Sequence, residues 1–319
     1  MKKVIFVAST SYSGSTFLDM TLGNDPAGLS LGEVDAVYEP TEKHHLRREC
    51  GCGTYNCDVW KSLENVPATQ LYQSLFATYP HLEFIVDSSK SPLWINRRIR
   101  DLKKQGIDYR IAVIWKTPLE IAQSFDKRGE FDNWTRSWVN YYRLLHTLQP
   151  DNWTVIKYRD YASHPETLKD ICASLGINWF AGKEAYWEKT QHILFGNHSA
   201  RKHLNQHHRD NAKSDAKASF QTVRYNPIDD PDLEQRVNAV ISSSPAIGRV
   251  AEALELMTQG QSAKGRKALQ ADKMTALDVF VREAKLALRI LAGKRHRIGF
   301  THPETVTSIE QPQDEKKAA

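Results

Sequence analysis

The sequence is poor in cysteine, with 4 in 319 residues. That is too few for a disulfide scaffold of this size. No apolar run approaches the roughly 20 residues that would span a bilayer. The first one, Val4 to Ala8, is too short for the core of a secretory signal. A cytoplasmic location is the default expectation. Charge of one sign is also scarce. Lys and Arg number 43 against 38 Asp and Glu, and residues 1–260 hold 31 of each. A neutral body is unlike a nucleic-acid-binding domain, whose cations run through the fold. The surplus lies in residues 261–300, with ten basic and three acidic side chains. The phosphate loop G-x-x-x-x-G-K-[ST] is absent, which removes the main support for an ordinary kinase or ATPase.

What is present is a chain 40% hydrophobic and 25% charged, the balance of a globular protein. Short β-branched runs at Val4–Ala8, Phe84–Val86, Ile111–Ile114 and Trp153–Ile156 alternate with helical stretches. The helices expected are Thr16 to Leu22, Pro92 towards Gln105, one capped by Thr117-Pro118-Leu119-Glu120, and His164 to Leu175. Strands alternating with helices predict an α/β fold with a central parallel sheet flanked by helices in three layers. Such sheets bind ligands at the carboxyl ends of their strands, where the polar motifs of this chain fall. Further on, Asp232 to Met257 reads as helix, 260–265 as a linker, and Met274 to Leu291 as a second helical stretch. The division expected is a main domain over 1–258, a basic helical extension over 259–300, and a disordered tail over 301–319. No internal repeat is present.

Ser11-Tyr12-Ser13-Gly14-Ser15-Thr16 joins the first strand to a helix. Small residues there let backbone N–H groups converge on an anion, and the helix N-terminus adds a favourable dipole. The alternative is a Ser/Gly-rich connection that binds nothing.

At this loop the chain resembles the sulfotransferases that use 3′-phosphoadenosine 5′-phosphosulfate (PAPS). The match is Ser11-Tyr12-Ser13-Gly14-Ser15-Thr16 with Leu18, similar to their 5′-phosphosulfate loop. It continues in order through much of residues 1–205. The further segments are Leu31-Gly32-Glu33-Val34, Cys50-Gly51-Cys52-Gly53 with Cys57 and Trp60, and Asp87-Ser88-Ser89-Lys90-Ser91-Pro92. Lys116-Thr117-Pro118 with Ser124 follows, then His192, Gly196, Asn197 and Arg201. The resemblance implies a P-loop-like fold and PAPS as co-substrate, with no metal. It implies donor binding by Ser11 to Thr16, Lys116, Ser124 and Arg201. Two departures stand out. Tyr12 occupies a position often filled by Arg or Lys, and Lys116-Thr117 replaces Arg-Asp. Lysine binds phosphate as a point charge, without the bidentate fork.

Sulfuryl transfer is an in-line displacement at a highly charged centre, so catalysis is mostly positioning and charge stabilisation. Lys90 is the candidate cation for the bridging oxygen, since its Ser-Lys-Ser-Pro setting resembles a turn whose lysine is catalytic in carbohydrate sulfotransferases. The competing reading is a solvated residue before a helix capped by Ser91. Glu33, just past a strand end, is the candidate base, with His44, His45 and His192 as competitors. Cys50, Cys52 and Cys57 invite a zinc reading, but the spacing C-x-C-x4-C has no fourth cysteine, and a structural turn is expected instead.

The function expected is sulfuryl transfer to a hydroxyl or amine of a carbohydrate, lipid or small-molecule acceptor. The alternatives are a P-loop kinase and a degenerate fold that only binds. Trp134, Trp138, Tyr141 and Tyr142 share one helix face and read as core. Leu277, Phe280, Val281, Ala284, Leu288 and Leu291 form a stripe within 274–297, interrupted by Arg282, Lys285 and Arg289. The stripe is expected to pack on the domain, with peripheral contact with an anionic membrane or an acidic substrate as the other reading.

Overall fold

A computed structural model describes residues 2–41, 50–54, 57–197, 199–201, 204 and 225–295. The tail at 301–319 and the candidates His44 and His45 lie outside the described residues.

Among the described residues, five strands form one sheet in the order β2-β3-β1-β4-β5, and every pairing is parallel. They are β1 (Lys3–Ala8), β2 (Gly28–Ser30), β3 (Phe84–Asp87), β4 (Asp108–Trp115) and β5 (Trp153–Lys157). The helices are α1 (Ser15–Gly23), α2 (Asp35–Tyr38), α3 (Asp58–Lys61), α4 (Leu71–Thr78), α5 (Pro92–Gln105), α6 (Pro118–Asp126), α7 (Trp134–Leu148), α8 (Tyr158–Ser163) and α9 (Thr167–Leu175). Four more follow: α10 (Pro231–Ser243), α11 (Pro245–Thr258), α12 (Ser262–Gln270) and α13 (Ala276–Arg295).

The three layers follow from the period of the central strand. Successive side chains of a strand point to opposite faces. Val4, Phe6 and Ala8 therefore join the core beneath α4, α5, α6, α7 and α11. Ile5 and Val7 join the core beneath α1 and α9. A strand buried on both faces must be apolar at every position, and Val4 to Ala8 is. The chain leaves β1 for β2 at one edge, returns through β3, and crosses to β4 on the other side of β1. The carboxyl end of β1 is thus the point where strand order reverses, the place where open α/β sheets form a ligand crevice.

Three expectations are corrected in the C-terminal region. The helix expected over Asp232–Met257 is two helices, α10 and α11, divided at Ser244-Pro245. Proline has no N–H to donate and disfavours a helical residue before it. The stretch expected as a linker, 260–265, runs into α12, which packs against α11 with Gly265 against Ala253. The third concerns α13. Its apolar stripe faces outwards: Leu277, Phe280, Val281, Leu288 and Leu291 are exposed. The helix rests instead on Val279 and Leu286, which meet Leu93, Leu144 and Met274, and on Gly293 against Pro40. No helix among the described residues is long and apolar enough to cross a membrane.

Candidate functional site

Each strand delivers polar residues at its carboxyl end. After β1 comes the loop Ser9 to Gly14. Tyr12 and Gly14 take positive φ, 68° and 90°. Gly14 also lies under the Tyr158 ring, into which a Cβ would run, so both the φ and the space call for glycine. Gly14 is the N-cap of α1 and has no side chain to occupy the first-turn N–H groups. They are left to face an anion along the helix dipole. Ser13 is buried beneath the loop, where its hydroxyl bonds that of Thr10 at 2.8 Å.

After β3 comes Asp87-Ser88-Ser89-Lys90. The buried Asp87 carboxylate accepts from the Tyr72 hydroxyl at 2.5 Å, Trp94 Nε1 at 2.9 Å and the Ser89 N–H at 2.7 Å, and from the Ser89 hydroxyl. Ser88 donates to Asp19 at 2.5 Å, as does Ser30 from the end of β2. Burial pushes the Asp19 carboxyl up to about 7. Ser91 caps α5 by accepting from the Trp94 N–H at 3.3 Å, with Pro92 in the first turn. Held from both sides, Lys90 adopts a φ of 58°. It is one-fifth exposed, and its ammonium forms an ion pair with Glu33.

Glu33 follows β2, and its backbone is fixed from across the site. Its N–H donates to the Leu194 carbonyl at 3.1 Å. Gly32 beside it has a φ of 72°, and a Cβ there would overlap the Leu194 carbonyl and the Ile193 side chain. Beyond Leu194, Asn197 donates its N–H to Thr16 Oγ1 at 2.9 Å.

After β4, Lys116 donates to Ser124 Oγ at 3.2 Å, and its ammonium stands 4.5 Å from the centre of the Tyr158 ring. Burial lowers its pKa to about 8. Thr117 and Glu120 form the expected capping box on α6. Arg128, one turn past Ser124, donates to the Ser124 carbonyl and stacks 3.8 Å over the Tyr12 ring.

Two cavities meet here. One, of about 450 Å³, is lined by Tyr12, Gly14, Ser15, Thr16, Lys90, Lys116, Ser124 and Arg128, with Tyr158 and Asn197 among its other walls. The other, of about 400 Å³, is lined by Ser11, Glu33, Asp35, Lys90 and Tyr141, and by Leu286 and Arg289 of α13. Lys90 lines both. Burial, with Asp87 and Glu33 adding to it, holds the Asp35 carboxyl well above the usual range.

Most of the predicted residues therefore come together. Ser11 faces the second cavity rather than the first. Arg201 is one turn beyond Asn197, its N–H bonded to the Asn197 carbonyl at 3.2 Å, and it lines neither of these two cavities. Trp134, Trp138 and Tyr142 are core as expected, while Tyr141 reaches the second cavity. His192, a competitor for the base, lines neither of these two cavities; its Nδ1 lies 3.1 Å from Cys57 Sγ. Sequence reasoning missed Arg128, which brings a cation to the Tyr12 ring. Its signal is a basic residue four positions after Ser124. Asp35 and Tyr158 carried no such signal.

No protein-family model matches the chain, and no curated protein does. Among solved structures it is similar to the sulfotransferase domain of the Synechococcus PCC 7002 olefin synthase, at 14% identity and a TM-score of 0.44, over 75% of this chain and 94% of that one. It is similar to the sulfotransferase domain from the curacin biosynthetic pathway, at 16% identity and a TM-score of 0.45, over 76% and 98%. A sulfotransferase from Alicyclobacillus acidocaldarius is 13% identical with a TM-score of 0.34, over 69% and 99%. Each of these three structures is a sulfotransferase or a sulfotransferase domain.

Proposed function

We propose that this chain moves a sulfuryl group from PAPS to an acceptor hydroxyl or amine and releases 3′,5′-adenosine diphosphate. The observation that carries this reading is Lys90, which borders both a cation-lined cavity and a carboxylate-lined one. The donor belongs in the first. Its 5′-phosphosulfate suits the α1 N-terminus and the hydroxyls of Ser15 and Thr16. Its 3′-phosphate suits Lys116, Ser124 and Arg128, so that Arg128 makes up for the uncharged Tyr12.

The acceptor belongs in the second cavity. The acceptor oxygen forms a bond to sulfur as the bond between sulfur and the phosphate oxygen breaks. Glu33 takes the acceptor proton, and Lys90 stabilises the charge left on the phosphate oxygen. In the unliganded pair each of these two groups offsets the other's charge. An anionic donor draws Lys90 to itself and leaves the Glu33 carboxylate available as a base. Incubation with ³⁵S-labelled PAPS and panels of carbohydrates, lipids and phenols tests the reaction. Label appearing in an acceptor supports it; label staying on the donor across all panels counts against it.

Lys116 makes the donor site sensitive to pH. A lysine binds phosphate only while charged, and this one has a pKa of about 8. Affinity for 3′,5′-adenosine diphosphate should be level from about pH 7 to 8, where its phosphates are fully ionised, and fall by up to about tenfold per unit above that. Lys116→Arg, charged throughout, should flatten the profile. A parent profile already flat to pH 10 would remove Lys116 from the site.

The α13 helix lends Leu286 and Arg289 to the acceptor cavity and turns its apolar stripe outwards beside the exposed Lys285. That arrangement favours an acceptor carried at an anionic lipid surface. The protein should sediment with phosphatidylglycerol vesicles in low salt. The double variant Phe280→Ser/Leu288→Ser should not. Equal sedimentation of both would exclude the stripe as the contact.

A further inference from the structure

We propose that Cys50, Cys52, Cys57 and His192 hold a structural zinc ion that locks the two chain segments beside the candidate base. This inference is independent of the reaction proposed above. The sequence offers three thiols without a fourth ligand. The fold supplies the fourth from far along the chain: His192 is 142 residues from Cys50 and 135 from Cys57. The three sulfurs and one imidazole nitrogen all lie within 4.8 Å of one another. His192 Nδ1 stands 3.1 Å from Cys57 Sγ and 3.8 Å from Cys50 Sγ. A tetrahedral zinc with bonds of about 2.3 Å to sulfur and 2.0 Å to nitrogen sets neighbouring ligand atoms roughly 3.5–3.8 Å apart. The four atoms need only small movements to meet that geometry.

The chemistry of the donor set points the same way. All three cysteines are free thiols, and Cys50 and Cys57 are buried. Three thiolates and an imidazole are a preferred structural zinc set, and four protein ligands leave no open position for catalysis. The surroundings are built to hold them. Trp60 Nε1 donates to the His192 carbonyl at 3.0 Å. The Gly51 N–H donates to the Ile193 carbonyl at 2.9 Å, and the Gly53 N–H to Cys50 at 2.9 Å. The segment carrying His192 continues into Leu194, which accepts from Glu33 and donates to Leu31 at 3.0 Å. A metal bridge from Cys50, Cys52 and Cys57 to His192 therefore fixes the backbone on which Glu33 sits.

The test is elemental analysis of the full chain, purified under reducing conditions without a metal-affinity tag. The expected result is about one zinc per chain, released by a mercurial that modifies thiols. Chelation should lower the melting temperature, and zinc should restore it. Cobalt substitution should give tetrahedral ligand-field bands with thiolate-to-cobalt charge transfer. His192→Ala and Cys52→Ser should each lose zinc; because either variant could misfold, the cobalt spectrum of the parent stands as the independent readout. Protein that contains no zinc, and takes up none on titration, overturns the proposal. So does stoichiometric iron, or an octahedral cobalt spectrum.

Discussion

Lys90→Ala should fold like the parent and lose about a hundred- to a thousandfold in turnover, the usual effect of removing one donor to a developing oxyanion. The side chain is partly exposed and makes its ion pair with Glu33 at the border of two cavities, so its loss opens no void in the core. A φ of 58° is no easier for alanine than for lysine, so the turn itself is unaffected apart from the pair. The Glu33 side chain keeps 24% of its surface in solvent, so its carboxylate can hydrate once the lysine is gone. The loss should fall on turnover far more than on affinity for PAPS, because the charge on the leaving oxygen develops only as the bond to sulfur breaks. Glu33→Gln should also cut turnover, because no carboxylate is then left to take the acceptor proton. Lys90→Ala with near-parental turnover would remove Lys90 from the chemistry.

Asp87→Ala should be the most damaging single change to stability near the site, at about 3 kcal/mol or more. Its carboxylate is the acceptor for the Tyr72 hydroxyl, Trp94 Nε1 and both donors of Ser89, all in the interior. Each buried polar group left without a partner costs about 1–3 kcal/mol. Asp87→Asn keeps one acceptor oxygen and should lose less. The damage should reach Lys90, because the Ser89 hydroxyl also accepts from the Asp35 N–H at 3.0 Å and so joins the Lys90 turn to the segment carrying Glu33. Chemical denaturation measures the first effect and turnover of the folded fraction the second. A variant as stable as the parent would show that this network is not what holds the turn.

The residues legible in the sequence were those whose chemistry is local. A buried strand followed by a small-residue loop reads as an anion site because both features lie within a few residues of each other, and the loop does join β1 to α1, with Tyr12, Gly14, Ser15 and Thr16 lining a cavity. The Asp87-Ser88-Ser89-Lys90 turn was legible as a motif, but the work of Asp87 was not. Its partners Tyr72 and Trp94 come from α4 before β3 and α5 after it. His192, a competitor of Glu33 for the base, lies against the cysteines. No periodicity connects residues more than a hundred positions apart. The α13 stripe shows a different limit. Periodicity finds an apolar face, but cannot say whether a neighbour covers it, and here Val279 and Leu286 on the other side make the contact. Arg128 was missed because its role depends on the end of α6 bringing it beside Tyr12.

Titration calorimetry with 3′,5′-adenosine diphosphate and with ATP, on the parent and on Lys116→Ala, tests the donor site most directly. The expected result is saturable binding of one 3′,5′-adenosine diphosphate per chain, much weaker binding of ATP, and loss of the signal in the variant. Preference for ATP, or no binding of either nucleotide by the parent, would contradict it.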